Sequence, residues 1–520
     1  MHLPPVHLAI MQPAGYVHSL AFLDHARYFR YQFRRLGAQV TLGKNRLRED
    51  AVNFVFGAHL GFAPELADRH DCVFVNLEQL GAGGAQVDPA YLALLARSAV
   101  VDYDAANIPA YSQQPDDVPV VPFLHAPYLG TAATGIPAIA LEDRPIDLLF
   151  FGSMNPRRKA FLDRVERSGA QVAVFDHAVY GDERDEFIRQ AKAVVNCHFY
   201  ETSRFEQARV FQCLSLGTPV ISERSERTQP PQAFEQSVTW LENEAQLDRF
   251  FAETFNTAAW FETARAQLDN FASYDPLEGY ADVLAFAAGY RQVRQGMRSM
   301  EPWQPTRMNL GSGKDYKPGW LNVDILAQAR PDVVLDLGQP IELPLQLPTC
   351  GGGQVLLQPG SLEAVYANNV LEHVPDLPRL MTNVLALLKD GGVFDIEVPY
   401  EKAPTAWQDP THLRALNENS WVYYIDWFWY LGWFEHRFEM AASEWLDLQL
   451  KPCAKEQAAF MRVKLRKTAT TLRERTLART MQADFGGVPD DGVDGIAAEA
   501  LQVVSYVEAM DHLHDSVAAA

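Results

Sequence analysis

The sequence predicts an α/β protein with parallel sheets, organised as three successive units in a chain of 520 residues. Three observations predict it. Short apolar runs rich in β-branched residues alternate with helical patterns along the chain, the mark of strands joined by crossover helices. The length exceeds what one core supports, since domains typically hold about 100–200 residues. The alternation also breaks twice, at the Gly/Pro-rich "HAPYLGTAATGIPAIALEDRP" and at "RQGMRSMEPWQPT", which Pro302 and Pro305 punctuate. The breaks divide the chain into 1–137, 138–302, 303–475 and a helical tail of 476–520.

The first unit offers the strand candidates "VHLAIM", "QVTL", "VNFVFG", "CVFVNL", "AVVDYD" and "VPVVPF". Between the first two lies the helical "SLAFLDHARYFRYQFRRLGA", where Gly37 supplies the stop. The second unit repeats the theme with "IDLLFFG", "QVAVFD", "AVVNCHF" and "TPVISE", and the helical segment 244–273 closes it. In the third unit "MNL" runs into Gly311-Ser312-Gly313, "WLNVDI" carries Asp324, and "DVVL" leads to Asp336. Then "LEAVYANN" ends in Asn368 and Asn369, and a helix over "DLPRLMTNVLALLKDGG" precedes "VFDIEVP".

Composition excludes several function classes. Lys+Arg 45 against Asp+Glu 66 gives a net charge of −21, which disfavours a nucleic-acid or anionic-membrane partner needing a broad basic face. Five scattered cysteines without metal-ligand spacing indicate a reduced, cytoplasmic protein. The opening "MHLPPVHLAIMQP" lacks the basic start of a signal peptide. The most apolar stretch, "WVYYIDWFWYLGWF", contains Asp426 and falls short of the roughly 20 apolar residues of a transmembrane helix. Its aromatics fit core or lid packing better than stacking on sugar faces.

In doubly wound sheets, ligands sit beyond the carboxyl ends of the strands, where strand order reverses. Gly311 and Gly313 permit close backbone approach there. Asp324 is placed to accept both hydroxyls of a ribose, and Asp336 to reach an adenine edge. The third position of a dinucleotide fingerprint is Tyr316, so NAD is disfavoured.

The series "MNLGSG", "GWLNVDI", "NNVLEHV", "LLKDGGVFDIEVP" and "DPTHLRALNENSW" resembles the small-molecule branch of the class I S-adenosylmethionine-dependent methyltransferases. The resemblance implies that Gly311, Ser312 and Gly313 pass under the methionine part of the cofactor and that Asp324 holds its ribose. It places Asp336 and Leu337 at the adenine and Asn368 or Asn369 at the methionine end. One departure stands out: only "KDYKPG" separates the glycine loop from the next strand, where the family has a helix and where parallel crossovers usually need a dozen or more residues. Methyl transfer to a hydroxyl requires a base, and His412, with Asp409 as its orienter, is the first candidate. His373 is the second, with a structural role at a helix start as the competing explanation.

The first two units resemble a divergent two-lobed GT-B glycosyltransferase. Gly152, Ser153, Arg157 and Arg158 follow the first strand of the second lobe, where arginine suits a diphosphate. Glu206 and Arg209 are candidates for a ribose hydroxyl and a phosphate, although an ion pair at i, i+3 would explain them as well. The pair of acids eight apart found in many retaining members is replaced by Arg204 and Gln212. In the first lobe, His18 sits where an acceptor-side base would lie, and His59 and Glu78 follow later strands.

The sequence thus predicts two Rossmann-like lobes of GT-B type followed by a doubly wound class I methyltransferase domain. The expected activity is bifunctional: glycosyl transfer from a nucleotide sugar to a glycan, glycolipid or glycoprotein acceptor, and S-adenosylmethionine-dependent O-methylation of a sugar hydroxyl. The alternative keeps the methyltransferase and makes the lobes a non-catalytic carbohydrate-binding module. No ligand spacing calls for a metal, although Asp and His beside an acceptor could hold Mg²⁺. A homo-oligomer is compatible with the sequence.

Overall fold

The computed structural model describes residues 3–481 apart from 82, 137, 176 and 298–300. The expected tail from residue 482 onward lies outside the described residues.

The first sheet contains β1 (Val6–Ile10), β2 (Val40–Lys44), β3 (Val52–Phe56), β4 (Asp71–Val75) and β5 (Ala99–Val101), all parallel, in the order β2-β1-β3-β4-β5. β1, β3 and β4 are buried along their whole length, as parallel strands covered on both faces must be. The helix Ala21–Arg35 lays Phe22, Ala26, Phe29 and Phe33 on one buried face and stops before Gly37, which takes φ +83°. The expected strand "VPVVPF" does not form; only a single bridge joins Val120 to Asp102, because Pro119 and Pro122 cannot donate to a ladder.

The second sheet repeats this topology without visible sequence repetition. β6 (Ile146–Phe150), β7 (Val172–Val174), β8 (Ala191–Asn196), β9 (Val220–Glu223) and β10 (Thr239–Leu241) are parallel in the order β10-β9-β8-β6-β7. In each lobe the order reverses beside the first strand, so the carboxyl ends of β1 and β6 are the places where a ligand crevice is expected. After Ala258–Ala272, the helix Leu277–Met297 returns to the first lobe, burying Tyr280, Val283, Leu284 and Ala287. The Tyr280 ring meets Phe29 edge-on at 5.0 Å. Each large side chain so buried contributes about 1.5–3 kcal/mol, so one apolar core joins the two lobes.

The third sheet has seven strands in the order β13-β12-β11-β16-β17-β19-β18. They are β11 (Arg307–Leu310), β12 (Leu321–Asp324), β13 (Val333–Val334), β16 (Leu362–Asn368), β17 (Leu388–Pro399), β18 (His436–Leu446) and β19 (Phe460–Ala469). The first five are parallel, whereas β19 inserts antiparallel between β17 and β18. The hairpin β14 (Leu345–Pro348) and β15 (Gln354–Leu357) occupies the connection between β13 and β16, where parallel crossovers usually carry a helix. The helix Leu377–Leu387 is capped by Asp376, which accepts from the Arg379 amide at 2.9 Å, and buries Leu380, Met381, Val384 and Leu387.

The short β11–β12 connection holds together without a helix because Asn322, fully buried in β12, bonds the loop backbone. Its Oδ1 accepts from the Lys317 amide at 2.7 Å, and its Nδ2 donates to the carbonyls of Lys317 and Trp320 at 2.9 Å each. Tyr316 donates its hydroxyl to Asp332 at 2.6 Å. The first lobe covers this region: the Arg46 guanidinium lies 5.0 Å from the Tyr316 ring centre and donates to the Ala329 carbonyl, while the Glu49 amide donates to Gly351.

Candidate functional site

The carboxyl ends of β11 and β16 are neighbours, with Leu310 opposite Ala367, and the sheet order reverses between them. The chain leaves β11 through Gly311 at φ +63° and Gly313 at φ +46°, in the left-handed region that favours glycine. A Cβ on Gly311 would lie 2.3 Å from Val370 Cγ2, so only glycine lets this bend pass under the end of β16. Asp324 faces the bend: its Oδ2 accepts from the Gly313 amide at 2.8 Å and its Oδ1 from the Leu326 amide at 2.8 Å. A carboxylate oxygen has two acceptor directions, so each keeps one for a ligand hydroxyl.

Two polar atoms are buried without partners here, the hydroxyl of Ser312 within the bend and Oδ1 of Asn368 at the end of the neighbouring β16. Buried polar atoms are almost always hydrogen-bonded, so adjacent orphans at two strand ends fit a polar ligand seated between them. Asn369, at φ +51°, turns the chain away beside them. Asp336 is exposed and caps its own loop, accepting from the Gly338 amide at 2.8 Å. Leu337 departs from expectation: its side chain is buried in the core, and its carbonyl accepts from Asn383 of the Leu377–Leu387 helix at 2.8 Å, so only its backbone could face an adenine.

Beyond Asn369 the chain makes a single turn over Leu371–His373 and meets the loop carrying His412, where the Leu413 amide donates to the Glu372 carbonyl at 2.8 Å. Glu372, His373 and His412 thereby converge, their ligand atoms all within 4.8 Å of one another. Glu372 is 2% exposed, and neither carboxylate oxygen has a hydrogen-bond partner. Burial pushes its carboxyl up to about 7. The sequence reading passed over this residue; its signal was an acid inside "NNVLEHV", between residues already singled out.

The expected pairing of Asp409 with His412 is not what forms. Asp409 accepts from the Thr411 hydroxyl at 2.6 Å and the Thr411 amide at 2.8 Å, because the residue two positions on is the natural partner of an aspartate in a tight loop. The Thr411 oxygen in turn accepts from His373 Nδ1 at 3.0 Å, so Asp409 orients His373 through Thr411. His412 donates from Nδ1 to the Ala406 carbonyl at 2.9 Å, and its Nε2 lies 3.9 Å from Glu372. The aromatic run splits: Trp421, Tyr424, Phe428 and Trp433 are core, while Tyr423, Trp427 and Tyr430 remain exposed with their rings in contact.

In the two-lobed part a cleft of about 400 Å³ opens between the lobes. His18, Asp24 and His25 line it from the first lobe; Gly152, Ser153, Tyr180, Arg184 and Arg209 line it from the second. Four sequence candidates thus meet: His18, Gly152, Ser153 and Arg209. His18 Nδ1 lies 2.7 Å from the Tyr180 hydroxyl, and a Cβ on Gly152, at φ +136°, would come within 2.8 Å of Arg209 Nη1. Arg209 donates to the Phe151 carbonyl at 3.0 Å and to Asn196 at 2.6 Å.

The other candidates are bound internally. Arg157 makes two bonds of 2.7 Å to Glu223, so it is not free for a diphosphate. Arg158, 4% exposed, donates to the carbonyls of Cys197 and Ser153. Glu206 meets His198 at 2.9 Å; burial pushes its carboxyl up, but His198, Arg209 and Arg158 hold it down at about 2. It closes an ion-pair cluster rather than standing free for a ribose. Arg204 explains its own departure from the family pattern: it reaches across to the first lobe and pairs with Asp104 at 2.6 Å. His59 and Glu78 pair with each other at 3.5 Å. Sequence reading also missed Arg184, buried between Asp24 of the first lobe at 2.8 Å and Asp185 at 2.6 Å, because "GDERDEF" reads as a solvated helix start.

Residues 249–440 match a family model described as a methyltransferase domain; the match starts in the helices closing the second sheet and ends within β18. An uncharacterized protein of Acanthamoeba polyphaga mimivirus is 25% identical over 166 residues, 31% of this chain and 51% of its own, so the chain spans about half the length of that relative. Among solved structures, an S-adenosylmethionine-dependent methyltransferase from Mesorhizobium loti is 18% identical, covering 34% of this chain and 97% of its own, with a TM-score of 0.21. WaaG, a glycosyltransferase involved in lipopolysaccharide biosynthesis, is 13% identical and covers 55% of this chain and 100% of its own, with a TM-score of 0.35. No helix among the described residues is long and apolar enough to cross a membrane.

Proposed function

We propose, from the methyltransferase domain in the C-terminal part, that the chain methylates a sugar hydroxyl using S-adenosylmethionine and that its two lobes handle a nucleotide sugar and the same class of glycan in the cytoplasm. One observation carries the first half: the orphaned Ser312 hydroxyl belongs to a glycine bend that Asp324 faces, and the orphaned Asn368 Oδ1 ends the neighbouring strand. These groups suit a cofactor with a ribose and a charged methionine end. Gly311–Gly313 admit its close approach, Asp324 holds the ribose hydroxyls, and Ser312 with Asn368 and Asn369 hold the methionine end. When bound, the cofactor supplies a methyl group on a sulfonium sulfur.

The chain's own residues then have to place an oxygen in line and draw off its proton. Glu372, His373 and His412 lie just past the end of β16 and are the groups available for that task. The fixed Nδ1 bonds of both histidines leave each Nε2 as the free face. Incubation with isotopically labelled S-adenosylmethionine and a bacterial-type glycan, followed by mass spectrometry, tests the reading. One methyl on a sugar oxygen is expected; label on nitrogen or none at all rejects it.

For the lobes, glycosyl transfer is supported by the interlobe cleft that gathers His18, Gly152, Ser153 and Arg209. A carbohydrate-binding module without turnover is favoured by a separate observation, the internal pairing of Arg157 with Glu223 and of Glu206 with His198. Nucleotide-sugar turnover that vanishes in Arg209→Ala supports the enzyme, and glycan binding without turnover supports the module.

A further inference from the structure

We infer that Glu372, His373 and His412 form a binding site for one divalent transition-metal ion, which carries the acceptor hydroxyl. Three independent features point there. Their ligand atoms lie within 4.8 Å of one another, and a two-histidine, one-carboxylate set is a common open-sided arrangement for such ions. Both oxygens of Glu372 are buried with no hydrogen-bond partner, in a side chain 2% exposed. A buried carboxylate left so is costly unless a cation or donor meets it.

The third feature is the arrangement around the ligands. Metal-bound histidines almost always donate their other ring N–H to an oxygen, which fixes the tautomer and leaves a lone pair for the ion. His412 does this with the Ala406 carbonyl at 2.9 Å. His373 does it with the Thr411 hydroxyl oxygen at 3.0 Å and the Thr411 carbonyl at 3.3 Å. The Thr411 hydroxyl proton is committed to Asp409 at 2.6 Å, so its oxygen can only accept. Asp409 is therefore a positioning residue, one step removed from the ion.

Two nitrogen ligands and one carboxylate favour a borderline ion such as zinc, cobalt or iron(II) over Mg²⁺ or Ca²⁺, which prefer oxygen throughout. Bonds of about 2.0–2.2 Å would draw the three atoms slightly inward, a movement that side-chain rotation supplies. The site uses three positions and leaves others open for a substrate oxygen. Its catalytic use rests on the methyl-transfer reading; the metal site itself does not. In that use the two histidines act as ligands and not as the base: the ion makes the hydroxyl more acidic, and its proton passes to bulk water. The oxygen lone pair forms the O–C bond while the S–C bond breaks with its electrons to sulfur.

The test uses the full chain, stripped of metal and titrated with cobalt(II), whose visible absorption reports nitrogen and oxygen ligation. One equivalent with a ligand-field band is expected. Affinity should fall more than about tenfold in Glu372→Gln and in His373→Asn, and about 10–100-fold in Asp409→Asn through the lost orientation of His373. Calorimetric binding of S-adenosylmethionine, unchanged in each variant, establishes that the fold is intact. Absence of cobalt uptake by the wild-type chain, or uptake equal in all variants, overturns the proposal. Methyl transfer that survives chelation also overturns the ion's role while leaving the methyltransferase reading standing. Metal uptake without methyl transfer to any sugar supports the site and removes the methyl-transfer reading.

Discussion

The methyltransferase unit and the two-lobed unit treat their polar groups in opposite ways. At and just beyond the ends of β11 and β16, Ser312, Asn368 and Glu372 each carry buried polar atoms without a hydrogen-bond partner. In the second lobe the corresponding strand ends are saturated: Arg157 with Glu223, Glu206 with His198, and Arg209 with Asn196 and the Phe151 carbonyl. The same topological rule places both regions at a reversal of strand order. The contrast teaches that position alone nominates a site, and that the hydrogen-bond inventory separates groups waiting for a ligand from groups holding the fold.

The largest expected effect is on chemistry at the unsatisfied end. His412→Ala should keep cofactor affinity by calorimetry while single-turnover methyl transfer falls on the order of 10²–10⁴-fold. A normal rate would show that His412 acts neither as base nor as ligand at the acceptor. Nearly as large is the effect of breaking a saturated group. Arg184→Ala leaves Asp24 and Asp185 buried without their cation, and chemical denaturation of the two-lobed part should register a loss of about 3–5 kcal/mol. Little change would mean that the interlobe ion pair is hydrated and not structural.

Asp324→Asn comes next. It removes the charge from the hydrogen bonds facing the glycine bend, and S-adenosylmethionine affinity should weaken by about 1.5–3 kcal/mol. Undiminished affinity rejects the ribose assignment. The smallest effect sharpens the contrast within the second lobe. Arg209→Ala should lower nucleoside diphosphate affinity by at most about 1.5–3 kcal/mol, whereas Arg157→Ala, whose partner is Glu223, should leave it unchanged. Equal losses would show that the cleft extends to Arg157.

How much of this was readable beforehand follows from the range of each interaction. β-rich runs, the Gly37 stop and the glycine bend are local, so their elements could be read directly. The run "VPVVPF" misled because its apolar pattern hides two prolines without ladder donors. The β14–β15 hairpin was missed because "PTCGGGQ" reads as a loop, with no helical or strand period to separate the flanks. The partners that settled the sites come from far along the chain: Glu223 is 66 residues from Arg157, and Asp24 is 160 from Arg184. Local pattern could name His373 and His412 as acid–base candidates. It could not show that Glu372 converges on them, or that Asp409 reaches the wrong histidine through Thr411.

The most direct measurement is a crystal structure of the full chain with S-adenosylhomocysteine. The nucleoside should rest against Gly311–Gly313, its ribose hydroxyls on Asp324, with the Ser312 hydroxyl and Asn368 Oδ1 now hydrogen-bonded. Ligand bound elsewhere, or those two atoms still unpartnered with the ligand present, would contradict the account.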